Sequence, residues 1–162
     1  GAGTLIRKGE RILELAGFED ETRERTRQLL ETSFGRPLKP GYFDGLNLEC
    51  VLVSESYGAM AIVLKGVDGI PYLDKFAVTP EAQGAGLGAA VWQALIHRFP
   101  QLYWRSRTDN PVNQWYFEQA ETSYTEKVWV AFTRGLHDFE KIRRCKVDSL
   151  ARPASWVDSV NA

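Results

Sequence analysis

The chain has 162 residues, enough for one domain with a sizeable core. Its composition is ordinary for a globular protein, with 44% hydrophobic and 25% charged residues, and a formal net charge of -1 argues against general nucleic-acid binding, which needs a basic excess on one face. No apolar run approaches the roughly 20 residues of a membrane helix, and the opening residues show no signal-peptide pattern.

Arg11–Leu15 alternates loosely and reads as a first strand. Asp20–Ser33 is charged but places Thr22, Thr26, Leu29 and Leu30 at helical spacing, and Gly35 ends that helix. Pro37, Pro40 and Gly41 mark an irregular connection. Three strands follow at Leu48–Ser54, Ala59–Leu64 and Tyr72–Val78, separated by Tyr57-Gly58 and by Gly66–Pro71. A long helix over Gly84–Arg98 carries an apolar stripe of Leu87, Ala90, Val91, Ala94 and Leu95, and Trp92, Ile96 and Phe99 give it a second core contact. Leu102–Arg107 is another strand. Asn110-Pro111 suits an N-cap and first helical position for a short helix through Gln119. Val128–Thr133 is a late strand and Leu136–Lys146 a last charged helix. The order predicts one α/β domain whose middle is a meander and whose later part is a crossover. Cys50 and Cys145 lack metal-ligand spacing and read as free thiols of a reducing compartment.

Chemistry concentrates after the strand Tyr72–Val78. There, Gln83-Gly84-Ala85-Gly86-Leu87-Gly88 opens the long helix, so backbone N–H groups converge at a helix N-terminus suited to a pyrophosphate. Gly84, Gly86 and Ala89 also satisfy a loose dinucleotide fingerprint, but that motif opens a parallel βαβ unit, whereas this loop follows a meander strand. A tight strand-to-helix turn alone would need only one or two of these glycines.

Gln83, Gly86 and Gly88 match the acetyl-CoA pattern of the GNAT acetyltransferase superfamily. Tyr72–Phe76, Trp104–Arg107 and Asn110–Phe117, with Ser33–Arg36 and Ser54–Leu64, resemble the acetyltransferase domain of vertebrate-like N-acetylglutamate synthases and of bacterial bifunctional synthase/kinases. The similarity covers most of residues 29–135; the last 25 residues add little to it. The resemblance implies a GNAT fold, a mixed central sheet with a splayed strand pair and flanking helices. It also implies direct transfer of the acetyl group of acetyl-CoA to L-glutamate, without a metal, as the first step of arginine synthesis. Another amino acid or a peptide amine as acceptor, or a CoA-binding regulatory module without turnover, are the alternatives. In the family this domain follows an amino-acid-kinase domain. The chain, which opens with Gly1-Ala2-Gly3, is accordingly expected to be the C-terminal part of a longer cytoplasmic, homo-oligomeric protein.

Arg105 and Arg107 lie two apart on one strand and face the same way, so each can grip one carboxylate of a dicarboxylic acceptor. The resemblance adds Lys75, Arg36 and Ser106 to the acceptor site. It assigns Phe76, Ala77 and Val78, with Gln83, Gly84, Ala85, Gly86, Leu87 and Gly88, to acetyl-CoA, and Asn110 and Tyr116 to catalysis. A backbone N–H near Phe76–Val78 would hold the oxyanion, and Tyr116 would protonate the departing thiolate. Neither His97 nor His137 is expected at the reacting amine, and no general base is assigned.

Overall fold

The computed structural model describes residues 9–157. Seven strands form one sheet in the order β1-β2-β3-β4-β5-β7-β6, with β1 Ile12–Leu15, β2 Leu48–Ser54, β3 Ala59–Leu64, β4 Tyr72–Val78, β5 Leu102–Arg107, β6 Thr122–Thr125 and β7 Trp129–Arg134. Every pairing is antiparallel except β4 with β5, so the sheet is mixed as expected. Helices α1 (Asp20–Phe34) and α5 (Phe139–Ala151) contribute to the core on one face. Helices α3 (Leu87–Arg98) and α4 (Asn113–Gln119) contribute to the core on the other, and a single turn, α2 (Pro80–Gly84), precedes α3.

The central strand shows why the meander was legible. In β3, Met60, Ile62 and Leu64 enter the core under α1 and α5, while Ala59, Ala61 and Val63 enter the core under α3. A strand buried on both faces reads as an unbroken apolar run. Helix α1 starts where the Glu19 N–H donates to Thr22 Oγ1 at 2.8 Å and stops where Gly35, at φ +67°, returns its N–H to the Glu31 carbonyl.

One irregularity in β4 positions everything that follows. Ile62 pairs with Lys75 and Val63 with Leu73, so Asp74 is the extra residue of a β-bulge. The parallel β4–β5 ladder is confined to Tyr72↔Tyr103 and Leu73↔Trp104. Beyond the bulge the two strands part, and a cleft opens between them.

Several sequence-based expectations need correction. The helix expected over Gly84–Arg98 starts three residues later, and a separate turn of helix precedes it. The Thr79 hydroxyl accepts from Ala82 N–H to cap α2, which ends at Gly84, and α3 begins only at Leu87, because Gly86 at φ +76° breaks the helical path. The buried stripe of α3 is Val91, Trp92 and Leu95, continued by Phe99, and Ala90 is exposed. The large Trp92 ring pulls that face inward against Trp104 and Trp115. Helix α4 starts at Asn113 rather than at Asn110-Pro111. Asn110 Oδ1 instead accepts from Val112 N–H at 3.0 Å and closes a turn before the helix. Strand β6 was not foreseen. It is a four-residue, largely exposed edge strand, and Thr-Ser-Tyr-Thr carries no apolar alternation. Helix α5 starts later and runs further than expected, since Asp138 Oδ1 caps it by accepting from the N–H groups of Glu140 and Lys141. Cys50 and Cys145 are free and buried, and burial pushes their thiols up to about 11 and about 12.

Candidate active site

The splay between β4 and β5 leaves a cleft of about 910 Å³. That lies within the range of small-molecule sites, roughly 300–1,000 Å³. Its walls come from β4, β5, the end of α1, the turn before α4 and the segment after α5.

At one end lies the glycine turn. Phe76, Ala77, Val78 and Gln83 line the cleft, and Gln83–Gly86 are solvent-exposed. The first N–H groups of α3 have no intrahelical carbonyl to bond, so they face outwards with the positive end of the helix dipole. Two glycines here have separate physical reasons. Gly86 needs its positive φ, while Gly88 lies against β4, where a Cβ would stand 2.9 Å from Val78 Cγ2. Gly84 has open space around it. Gly84, Ala85 and Gly86 are exposed, Leu87 and Gly88 are partly buried, and none of these five lines the cleft itself, which Gln83 reaches.

At the other end lie charges. Five cationic side chains line the cleft (Arg36, Lys39, Lys75, Arg105 and Arg107), against two carboxylates, Asp74 and Asp109. Arg105 and Arg107 share a face as expected, both over the Trp129 ring, with guanidinium carbons 3.8 and 5.6 Å from its centroid. Their engagements differ. Arg105 donates to the carbonyls of Ser149, Arg152 and Pro153 at 3.0, 2.8 and 3.0 Å, supplying a cation to the C-terminus of α5, whose last turn has none of its own. Arg107 is half-exposed, and its one ion-pair partner among the described residues is Asp109, at 3.7 Å.

Lys75 is buried, and its ammonium donates to the Asp74 carbonyl (3.2 Å), Asp74 Oδ2 (3.0 Å) and Ser155 Oγ (2.8 Å). Tyr42 donates its hydroxyl to the same Asp74 oxygen at 2.7 Å. Burial pushes the Asp74 carboxyl up, but the Lys75 ammonium and the Tyr42 hydroxyl outweigh it and hold it below the usual aspartate value. The rings of Tyr42 and Trp156 flank the Lys75 ammonium at 5.3 and 5.6 Å.

Between the two ends, Tyr116 lines the cleft with its ring enclosed by Trp104, Trp115 and Phe132. Burial alone pushes its phenol far above the ordinary value, so it stays protonated. The Ser106 hydroxyl and the Trp104 indole N–H are buried and lack a partner among the described residues, although both residues line the cleft. Buried polar groups left unpaired in this way are rare and mark places where a ligand or water completes the bonding.

Residues 12–151 match the family described as NAT, the N-acetyltransferase of N-acetylglutamate synthase. The chain belongs to this family. It is 41% identical over 98% of its length to a protein of Xylella fastidiosa named acetylglutamate kinase, covering 37% of that protein. It is 38% identical over 96% of its length to the mitochondrial N-acetylglutamate synthase of Mus musculus, covering 31% of it. The chain thus spans about a third of the length of these curated relatives. Two solved structures share its fold at low identity. The ribosomal-protein-S18-alanine N-acetyltransferase of Escherichia coli has a TM-score of 0.56 at 18% identity, over 79% of this chain and 97% of that one. An acetyltransferase of the GNAT family from Staphylococcus aureus has a TM-score of 0.56 at 7% identity, over 76% and 99%. The fold is therefore the GNAT fold.

Within this N-acetyltransferase fold, residues expected at the acceptor from the sequence (Lys75, Arg105, Arg107, Ser106 and Arg36) all line the one cleft, together with Asn110 and Tyr116. His97 and His137 do not line it. Among the described residues no group of three or more His, Cys, Asp and Glu is placed to hold a metal, and no helix is long and apolar enough to cross a membrane. Sequence reasoning missed Tyr42, Asp74, Trp129, Ser155 and Trp156. Asp74 stands next to Lys75 on β4, while the other four reach the site only through the tertiary fold. The segment after α5, thought to add little, forms a wall of the site.

Proposed function

We propose that this domain transfers the acetyl group of acetyl-CoA to the amino group of L-glutamate, giving N-acetylglutamate and CoA. The observation that carries this reading is the charge of the cleft. A chain of net charge -1 gathers five cations against two carboxylates in the splay beside its glycine turn. A dianionic amino acid and a phosphate-bearing cosubstrate both require such an excess. The amine must stay free to attack, and both carboxylates must be held; Arg107, Arg36 and Lys39 are the cations of this end that keep donors for them.

In this proposal the amide-rich start of α3 holds the pyrophosphate and directs the thioester down the cleft. The neutral amine attacks the thioester carbonyl. Backbone N–H groups of Phe76–Val78 on the β5 side face the splay rather than a strand, and one of them stabilises the oxyanion. The nitrogen of the tetrahedral intermediate releases a proton to water, its collapse breaks the C–S bond, Tyr116 gives its proton to the departing thiolate, and water returns a proton to the phenolate. Asn110 holds the turn that presents α4 and Tyr116 to the cleft. The domain acts in the cytoplasm beside an amino-acid-kinase domain of the same chain.

The test is release of CoA thiol from acetyl-CoA with and without L-glutamate, alongside glutamine and the other amino acids. Glutamate-dependent release, poor with glutamine, is expected. Equal release with several neutral amino acids would move the acceptor to another class.

A further inference from the structure

The segment after α5 crosses the mouth of the acceptor end of the cleft as a strap. Lys39 N–H donates to the Ser155 carbonyl at 2.8 Å, and Val157 N–H donates to the Pro37 carbonyl at 2.9 Å. Leu38 and Trp156 form an antiparallel bridge, and the Trp156 ring packs on Phe34 with centroids 4.8 Å apart. Arg105 grips the carbonyls of Arg152 and Pro153 from below. The strap is thus held by its backbone and by one aromatic ring. The Ser155 side chain adds one further contact, to Lys75.

That side chain has a different engagement. The three N–H donors of Lys75 are satisfied inside the protein by Asp74, twice, and by Ser155 Oγ. A serine hydroxyl has one donor and two acceptor sites. Ser155 spends an acceptor site on Lys75, and its own O–H has no acceptor among the described residues, while Ser155 lines the cleft. An ammonium bonded to the oxygen withdraws electron density and strengthens that O–H as a donor.

We propose that Ser155 is an acceptor-binding residue, whose hydroxyl donates to a carboxylate of the amino-acid substrate while Lys75 stands behind it as the fixed charge. This rests on the glutamate reading above and refines which groups hold that substrate.

The experiment compares wild type, Ser155→Ala and Ser155→Thr by thiol release, with L-glutamate and acetyl-CoA varied separately, and with thermal unfolding of each. Ser155→Ala should raise KM for glutamate by about 10- to 100-fold, the value of one hydrogen bond to a charged group. Its KM for acetyl-CoA should match wild type, its Tm should fall modestly because the buried Lys75 ammonium loses one acceptor, and Ser155→Thr, which keeps the hydroxyl, should recover most of both losses. A wild-type KM for glutamate in Ser155→Ala overturns the proposal. So does a parallel rise of both KM values with a lowered Tm, since the residue would then only hold the strap. A wild type that releases no thiol with glutamate defeats the glutamate reading. In that case, wild type and Ser155→Ala are titrated calorimetrically with glutarate, a dicarboxylate without the amine. Weaker glutarate binding by Ser155→Ala upholds the proposal, and equal binding, or none by either, overturns it.

Discussion

Asp74→Asn keeps shape and volume but leaves the buried Lys75 ammonium without its counter-charge. The pair is 3.0 Å apart, with side-chain exposures of only 8% and 14%. Breaking a pair at that depth by removing one partner costs about 3–5 kcal/mol, because the remaining ion keeps its desolvation penalty. The control is Asp109→Asn, whose 3.7 Å contact with Arg107 lies at 80% and 46% exposure. It should cost no more than about 0.5 kcal/mol. Denaturant unfolding between pH 7 and pH 3 reads both. The Asp74 carboxyl is held below its unfolded value, so its stabilisation is fully present above roughly pH 4, the ordinary aspartate pKa, and is lost as pH falls through the lower folded value. The gap between wild type and Asp74→Asn should therefore stay flat from pH 7 to about pH 4 and narrow only below it. A gap under about 1 kcal/mol at pH 7, or one already closing between pH 7 and pH 5, would refute the buried pair as described.

Other outcomes follow from the same geometry. Gly86→Ala and Gly69→Ala place a methyl in open space at nearly the same left-handed φ, +76° and +73°. Each should cost about 1–2 kcal/mol of stability, but only Gly86→Ala should weaken acetyl-CoA binding by calorimetry, by about tenfold or more. Arg107→Ala should raise KM for glutamate at least about tenfold, with KM for acetyl-CoA unchanged; equal changes in both would assign Arg107 a structural role. Tyr116→Phe should lower kcat by roughly 10²-fold with little change in either KM. Because burial raises the phenol pKa, the wild-type rate should show no alkaline loss from Tyr116 up to about pH 10, and a limb below that which vanishes in Tyr116→Phe would contradict the burial.

The elements legible in sequence are those whose burial imposes a local pattern. Strand β3 is covered on both faces and bounded by Gly58 and Gly66, and β5 alternates between buried Trp104 and Ser106 and the more exposed Arg105 and Arg107. The glycine turn was legible because its backbone demands glycine at Gly86 and Gly88, although its kink was not: no residue in Gly84–Leu87 distinguishes one continuous helix from two. Strand β6 depends only on pairing with β7, and an exposed edge can be written in almost any polar residues. The same limit applies to the site. Arg105 and Arg107 are two apart, so pleat geometry relates them, whereas Lys75 and Ser155 are 80 residues apart and meet only once α5 has been laid across the sheet.

The bulge at Asp74 links fold to site. An extra residue at that point ends the β4–β5 ladder after two pairs, and without that ending there would be no cleft. The inserted residue is an acid, which looks perverse in a pocket meant for a dianion. Its carboxylate, however, is spent on Lys75 and Tyr42 within the wall. An isolated ammonium at that depth would carry a large desolvation cost. With Asp74 beside it, the Lys75 ammonium has its counter-charge within the wall, and in the proposal above Ser155 presents a directed O–H to the cleft. The fixed cation sets the position of the hydroxyl, while Arg107 and Arg36, whose guanidiniums remain partly exposed, keep the freedom to close on a substrate and release a product.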